Sequence, residues 1–152
     1  NEAAFGSPAE ADIVVALRAK GIECVSLVAD RDGAILGHIL FSPVTLVGHD
    51  GHERMGLGPM AVLPGEQRKG IGSALVREGL TQCKHLGAQA IVVVGHPRYY
   101  PRFGFAPASR YGIRCEYDVP EDVFMIAELQ RGALRAATGL VRYDAAFGVG
   151  QP

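Results

Sequence analysis

Between an apolar run that closes at Pro64 and a helical pattern that opens near Gly70 lie Gln67, Arg68, Lys69, Gly70, Ile71 and Gly72. A helix N-terminus carries unpaired N–H groups and a partial positive charge. Glycines there allow a ligand to approach the backbone closely, and Arg68 and Lys69 add positive charge. Such a segment can hold an anion the size of a pyrophosphate. Two well-known phosphate patterns fail here. Gly65 and Gly70 have P-loop spacing, but Ile71 and Gly72 stand where Lys and Ser or Thr are required. Gly70 and Gly72 open a dinucleotide fingerprint, but Leu75 occupies the place of its third glycine. A nucleotide hydrolase is therefore disfavoured, and the pattern that remains is Q-x-x-G-x-G.

Other reactive side chains read more plainly. His49-Asp50-Gly51-His52-Glu53 could be drawn as a metal cluster, yet Asp50-Gly51 is a hairpin signal and the segment reads as a solvated turn. No metal site is expected. Cys24, Cys83 and Cys115 are odd in number and form no C-x-x-C pair, which argues against both a disulfide framework and a zinc site. Cys115 has no readable base beside it and reads as a packed thiol, and His38 sits in an apolar strand as a core histidine. A reducing, cytoplasmic setting is the expectation.

The elements that must position the anion loop follow from periodicity. Residues 9 to 19 carry Ile13, Val14 and Leu17 at helical spacing after Ser7-Pro8, with Gly21 as a stop. Residues 23 to 29 and 34 to 41 read as strands joined by an Arg31-Asp32-Gly33 turn, the second resuming after Pro43. Residues 48 to 54 read as a hairpin loop. Residues 55 to 63 read as a third strand in which Pro59 must interrupt the ladder. Residues 70 to 86 are helical with Gly87 as terminator, and the β-branched run 90 to 94 reads as a buried strand parallel to the third. Residues 95 to 112 are mostly turns, and 123 to 129 and 139 to 143 read as late strands. The fold class is mixed α/β, with one β-α-β crossover over residues 58 to 94.

Bulk properties agree with a single domain over 1 to 152. A chain of this length buries about 70% of the surface it exposes when unfolded, and 48% apolar residues supply the core. A net charge of -1 gives no reason to expect nucleic acid as a partner. No apolar run approaches the roughly 18 residues needed to span a membrane, so no membrane partner is expected.

The loop Gln67 to Gly72, a strand before it, a helix and a buried strand after it, and Tyr100-Pro101-Arg102-Phe103-Gly104-Phe105 together resemble the GNAT superfamily of N-acetyltransferases. That superfamily combines a Q-x-x-G-x-G loop with a Y-x-x-x-G-F segment. The stretch Gly95-His96-Pro97-Arg98-Tyr99-Tyr100, the LGPMAV strand and the FMIAEL strand are similar to its YhbS-like bacterial branch, over about residues 3 to 147. The resemblance implies a mostly antiparallel twisted sheet with flanking helices and a V-shaped splay between central strands. It implies acetyl-CoA as cosubstrate and a small-molecule or peptide amine as acceptor, and it allows a homodimer. By the same resemblance Ala3-Ala4-Phe5 corresponds to the end of the family's first helix. Because the sequence starts at Asn1, the family's first strand is expected to be missing from it.

Residue roles follow by the same resemblance. The backbone of Met60, Ala61 and Val62 should meet the pantetheine arm and the acetyl carbonyl, with Pro59 freeing backbone groups. The N–H groups of Arg68, Lys69, Gly70, Ile71 and Gly72, extending to Ser73, should hold the pyrophosphate, with Gln67 at the loop entrance. Tyr100 matches the tyrosine that protonates the leaving sulfur, and motif spacing selects it over Tyr99. Many relatives carry a glutamate on the strand before the loop, where this chain has Pro59. His96 is the nearest replacement base, against a strand-capping histidine and a water relay as alternatives. The implied activity is amine acetylation by direct attack in a ternary complex. The alternative is a CoA-binding module without catalysis.

Overall fold

A computed structural model describes residues 24–135 and 137–144, together with Val15. The helix expected over residues 9 to 19, apart from Val15, and the Ala3-Ala4-Phe5 segment lie outside these residues. β1 (Val25–Arg31) and β2 (Ala34–Leu46) form an antiparallel hairpin. Asp32 and Gly33 turn it with φ 53° and 88°, the positive pair that suits the twist of a two-residue hairpin.

β3 (His49–Val62) returns antiparallel to β2. Its turn is Val47-Gly48, not the expected Asp50-Gly51, and Leu46 already pairs with His49 across it. The ladder next pairs Val44 with Arg54, so residues 50 to 53 lie opposite Thr45 alone, as a bulge within the strand. Gly48 at φ 91° makes the turn, and the Asp-Gly signal marks the bulge.

The helix α1 (Ile71–His85) follows, and β4 (Ala90–Val94) then pairs parallel to β3, Arg54 with Ala90 through Leu57 with Val93. The later strands are β5 (Ala106–Pro107), β6 (Ile113–Cys115), β7 (Phe124–Glu128) and β8 (Gly139–Arg142). The sheet order is β5-β7-β4-β3-β2-β8-β6, with β1 also on β2. Most neighbours are antiparallel; β3–β4 and β6–β8 are the parallel pairs. β5 and β6 escaped the sequence reading because two and three residues cannot show a period.

Alternation along β4 and β7 divides the core between the two sheet faces. Ile91, Val93, Met125 and Ala127 join Ile39, Phe41, Leu57 and the buried face of α1, whereas Ala90, Val92, Phe124 and Ile126 join Val44, Leu46, Ile113 and Val141. α1 buries Leu75, Val76, Gly79 and Cys83. Gly79 is where helix and sheet come closest: an added Cβ would stand 2.0 Å from Phe41 Cε1.

Two features open the sheet beside α1. Ile39 pairs with Met60 and Phe41 with Leu57, so Gly58 and Pro59 share one position opposite Leu40. This is the ladder break that Pro59 required. The β3–β4 ladder stops at Leu57 and Val93, while β3 continues to Val62 paired only with β2. Among the described residues, the other edge of residues 58 to 62 has no strand neighbour, and this divergence is the expected V. Among the described residues no helix is long and apolar enough to cross a membrane.

Candidate active site

The chain leaves β3 at Val62, where Leu63 N–H donates to Leu36 O at 2.9 Å, and passes through a 3-10 turn, Pro64–Glu66. Gln67 Nε2 donates to Val62 O at 3.1 Å, so the side chain at the loop entrance ties the loop back to its strand. Arg68 and Gly70 then take left-handed backbone, φ 64° and 88°. Gly70 is the N-cap of α1 without a side-chain cap, and no acidic residue occupies the first turn. The first helical bond is Ala74 N–H to Gly70 O at 3.0 Å. The N–H groups of Gly70, Ile71, Gly72 and Ser73 therefore have no intrahelical acceptor. A Cβ at Gly70 would meet nothing within 4 Å, so the helix end is sterically open as well as electrostatically positive.

Basic charge is organised here by a residue the sequence reading passed over. Glu66 Oε1 accepts from Arg31 Nη2 at 3.0 Å and pairs with Lys69 Nζ at 3.5 Å. The Arg31 hydrogen bond, followed by the charges of Arg31 and Lys69, outweighs desolvation and holds the Glu66 carboxyl below its ordinary range. Arg31 lies 35 residues from Glu66 and appeared in the sequence only as part of a turn signal. No local pattern could have joined the two.

The tyrosine segment follows β4. Gly95 N–H donates to Val123 O at 2.9 Å, anchoring the strand end. Tyr99 and Tyr100 both direct their N–H groups to His96 O. Arg98 N–H donates to His96 Nδ1 at 3.2 Å, so His96 caps the turn. A neutral ring that accepts at Nδ1 carries its proton on Nε2.

The two tyrosines face different ways. Tyr100 is 7% exposed and lies against Gly95, where a Cβ would stand 2.3 Å from its Cε2. It packs edge-on to Phe105 and Tyr99 at centroid separations of 5.7 and 5.0 Å. Burial, with a contribution from Tyr99, pushes its phenol up to about 12. Tyr99 turns toward α1, its hydroxyl 3.1 Å from Ser73 Oγ. The helix end, the end of β3 and the tyrosine segment are thus neighbours, with a Cβ at Gly72 3.3 Å from Tyr99 Oη and 3.7 Å from Val62 Cγ2. Met60, Ala61 and Val62 are half-buried, and His96 is exposed beyond the end of β4.

Of the histidines read as a turn, His49 bonds the Thr138 carbonyl through Nε2 at 3.0 Å. Among the described residues no group of three or more His, Cys, Asp or Glu is placed to hold a metal ion.

Residues 5–105 match the acetyltransferase (GNAT) family. The chain belongs to the GNAT family. It is 38% identical over 144 residues to the Escherichia coli (strain K12) protein named uncharacterized N-acetyltransferase YhbS, covering 94% of this chain and 86% of that one. A crystal structure of Escherichia coli YhbS in complex with CoA matches with TM-score 0.90 and 37% identity, over 97% of this chain and 82% of that chain. A Brucella melitensis GNAT family acetyltransferase in complex with acetyl-CoA matches with TM-score 0.77 and 40% identity, over 96% of this chain and 86% of that chain. The GNAT fold accounts for the diverging β3 and β4 and for the glycine-rich start of α1. Arg31, Glu66 and the direction of Tyr99 are features of this chain that the family motifs did not announce.

Proposed function

We propose that this GNAT chain binds acetyl-CoA across the open end of α1 and the free edge of β3, and moves the acetyl group to a primary amine by direct attack in a ternary complex. One observation carries the reading. An uncapped helix N-terminus, with left-handed Arg68 and Gly70 before it, adjoins a strand end that, among the described residues, has no strand neighbour on the edge away from β2. An anion site and a backbone edge are therefore continuous, as a pyrophosphate joined to an amide-bearing arm requires. The two relatives solved with CoA and acetyl-CoA support it.

Met60, Ala61 and Val62 are assigned to the pantetheine arm and acetyl carbonyl through their backbone. Arg68, Lys69, Gly70, Ile71, Gly72 and Ser73 are assigned to the pyrophosphate, with Gln67 bracing the loop. Tyr100 is assigned to the leaving sulfur. At about 12 its phenol stays protonated across the physiological range and always offers a hydrogen. Full proton transfer to a thiolate of ordinary pKa near 8.5 is uphill by roughly 5 kcal/mol. Its role is therefore a hydrogen bond that stabilises the developing charge, with the final proton on sulfur coming from solvent. His96 is assigned to the proton lost by the amine, directly or through a water. It takes up that proton at Nδ1 by releasing the Arg98 N–H.

The test is thiol release from acetyl-CoA with a panel of small and peptide amines, the product checked by mass. Amine-dependent release with an acetylated product supports the reading. Saturable CoA binding with no turnover for any amine would favour the non-catalytic module, a reading that Pro59 in place of an acidic residue and the occupied Nδ1 of His96 keep in view.

A further inference from the structure

Tyr99 joins two parts of the candidate site that lie far apart in sequence. Its hydroxyl stands 3.1 Å from Ser73 Oγ, 26 residues away, in the first turn of α1. It also overhangs Gly72, where an added Cβ would lie 3.3 Å from Tyr99 Oη. The ring is held in place on several sides. Tyr100 and Phe103 meet it edge-on at 5.0 and 5.2 Å, the Arg102 guanidinium lies 4.6 Å from its centroid, and Arg102 Nε donates to Tyr99 O at 3.0 Å. A side chain fixed in this way puts its hydroxyl at one place relative to the helix end.

The chemistry of the pair sets its direction. The 3.1 Å separation allows either hydroxyl to donate, and the more acidic phenol is taken as the donor, Tyr99 O–H to Ser73 Oγ. The proton of Ser73 is then left for another acceptor, and Ser73 stands among the N–H groups of Gly70 to Ser73 that have no intrahelical acceptor, so an anion there would meet donors of both kinds. An aliphatic hydroxyl that accepts one hydrogen bond becomes a better donor in the next.

We propose that Tyr99 is a positioning residue: its hydroxyl orients Ser73 Oγ–H as a side-chain donor to the oxyanion held at the N-terminus of α1. The inference rests on the acetyl-CoA reading above and deepens it, naming a donor pair that the glycine-rich loop alone does not contain. Tyr99 touches no reacting atom in this account, and its effect passes through Ser73.

The experiment measures CoA affinity by calorimetry, and KM for acetyl-CoA and kcat separately, in the parent, Tyr99→Phe, Ser73→Ala, the double variant and Ser73→Thr. Tyr99→Phe removes one oxygen and keeps the ring packing. It should weaken CoA binding and raise KM by roughly three- to tenfold, as loss of one hydrogen bond predicts, with kcat within about twofold of the parent. Ser73→Ala should do the same, the double variant should be no worse than the weaker single, and Ser73→Thr should restore binding. Ligand-free melting temperatures should fall slightly and alike in Tyr99→Phe and Ser73→Ala, since both delete the same bond, so affinities are compared where every variant is fully folded. Unchanged affinity in Tyr99→Phe, or losses that multiply in the double variant, overturns the inference. A parent that binds no CoA overturns the acetyl-CoA reading and this inference with it, whereas a binding parent with an indifferent Tyr99→Phe overturns this inference alone.

Discussion

Gly79→Ala tests how α1 is seated. An alanine Cβ there would stand 2.0 Å from Phe41 Cε1 and 2.4 Å from its Cζ, against an ordinary carbon contact of about 3.5–4.0 Å. Phe41 is 0% exposed and shares its cluster with Ile39, Leu75 and Val76, so the ring has nowhere to swing. Overpacking of this kind costs about 1–3 kcal/mol, and the overlap places it near the upper end. Alanine in a helix interior returns about 1 kcal/mol over glycine. The net destabilisation is about 2 kcal/mol, which lowers Tm by roughly 4–8 °C in a domain of this size. Gly65→Ala is the control, because a Cβ at Gly65 meets nothing within 4 Å, and it should stay within about 0.5 kcal/mol of the parent. Urea and thermal unfolding of the three proteins decide it. A Gly79→Ala protein as stable as the parent would refute the claim that α1 and the sheet come too close at Gly79 to admit a side chain.

Two further outcomes are expected. Tyr100→Phe should lower kcat by about 10²–10³, the effect of removing one donor to a developing charge, with little change in KM. Because the Tyr100 phenol lies near 12, the parent's rate should show no loss from its ionisation near pH 10; a descending limb near pH 10 that vanishes in Tyr100→Phe would contradict that elevation, and an unchanged kcat in Tyr100→Phe would contradict the assignment. Glu66→Gln should loosen Arg31 and Lys69, and its stability deficit should depend on pH in a fixed direction. The folded-state pKa of Glu66 is depressed, chiefly by Arg31. The stability it contributes is thus present above the unfolded value of about 4.3 and is lost as pH falls through the lower folded value. Unfolding midpoints of parent and Glu66→Gln should therefore converge on acidification, and a gap that widens toward low pH would contradict the sign. The pair is at the surface and the effect small.

What could be read in advance was whatever depends on local repetition. α1 and β4 showed their periods over 15 and 5 residues and were bounded by Gly70 and Gly87. The Pro59 interruption followed from a missing backbone donor and reappears as the shift between Ile39 and Phe41. The Asp50-Gly51 signal was read as a turn because local chemistry cannot tell a turn from a bulge; the partner strand decides, and Leu46 pairing with His49 places the turn at Val47-Gly48. The strands β5 and β6 are too short to carry a pattern. Motif spacing picked out Tyr100 but not the surroundings that raise its pKa, since Gly95 and Phe105 meet its ring only in the folded chain. The Arg31–Glu66 pair and the Tyr99–Ser73 bond each join residues 26 or more apart, which no window of sequence contains.

Titrating CoA into the parent and into Gly72→Leu by calorimetry, with circular dichroism to verify the fold, tests whether the open N-terminus of α1 receives the anionic part of acetyl-CoA. A Cβ at Gly72 already lies 3.3 Å from Tyr99 Oη and 3.7 Å from Val62 Cγ2, so a leucine fills the approach to the loop. Saturable binding at one site is expected in the parent, with loss of at least about tenfold in affinity in a folded Gly72→Leu, the scale of a lost hydrogen bond to a charged group. Equal affinity in the two folded proteins would contradict it.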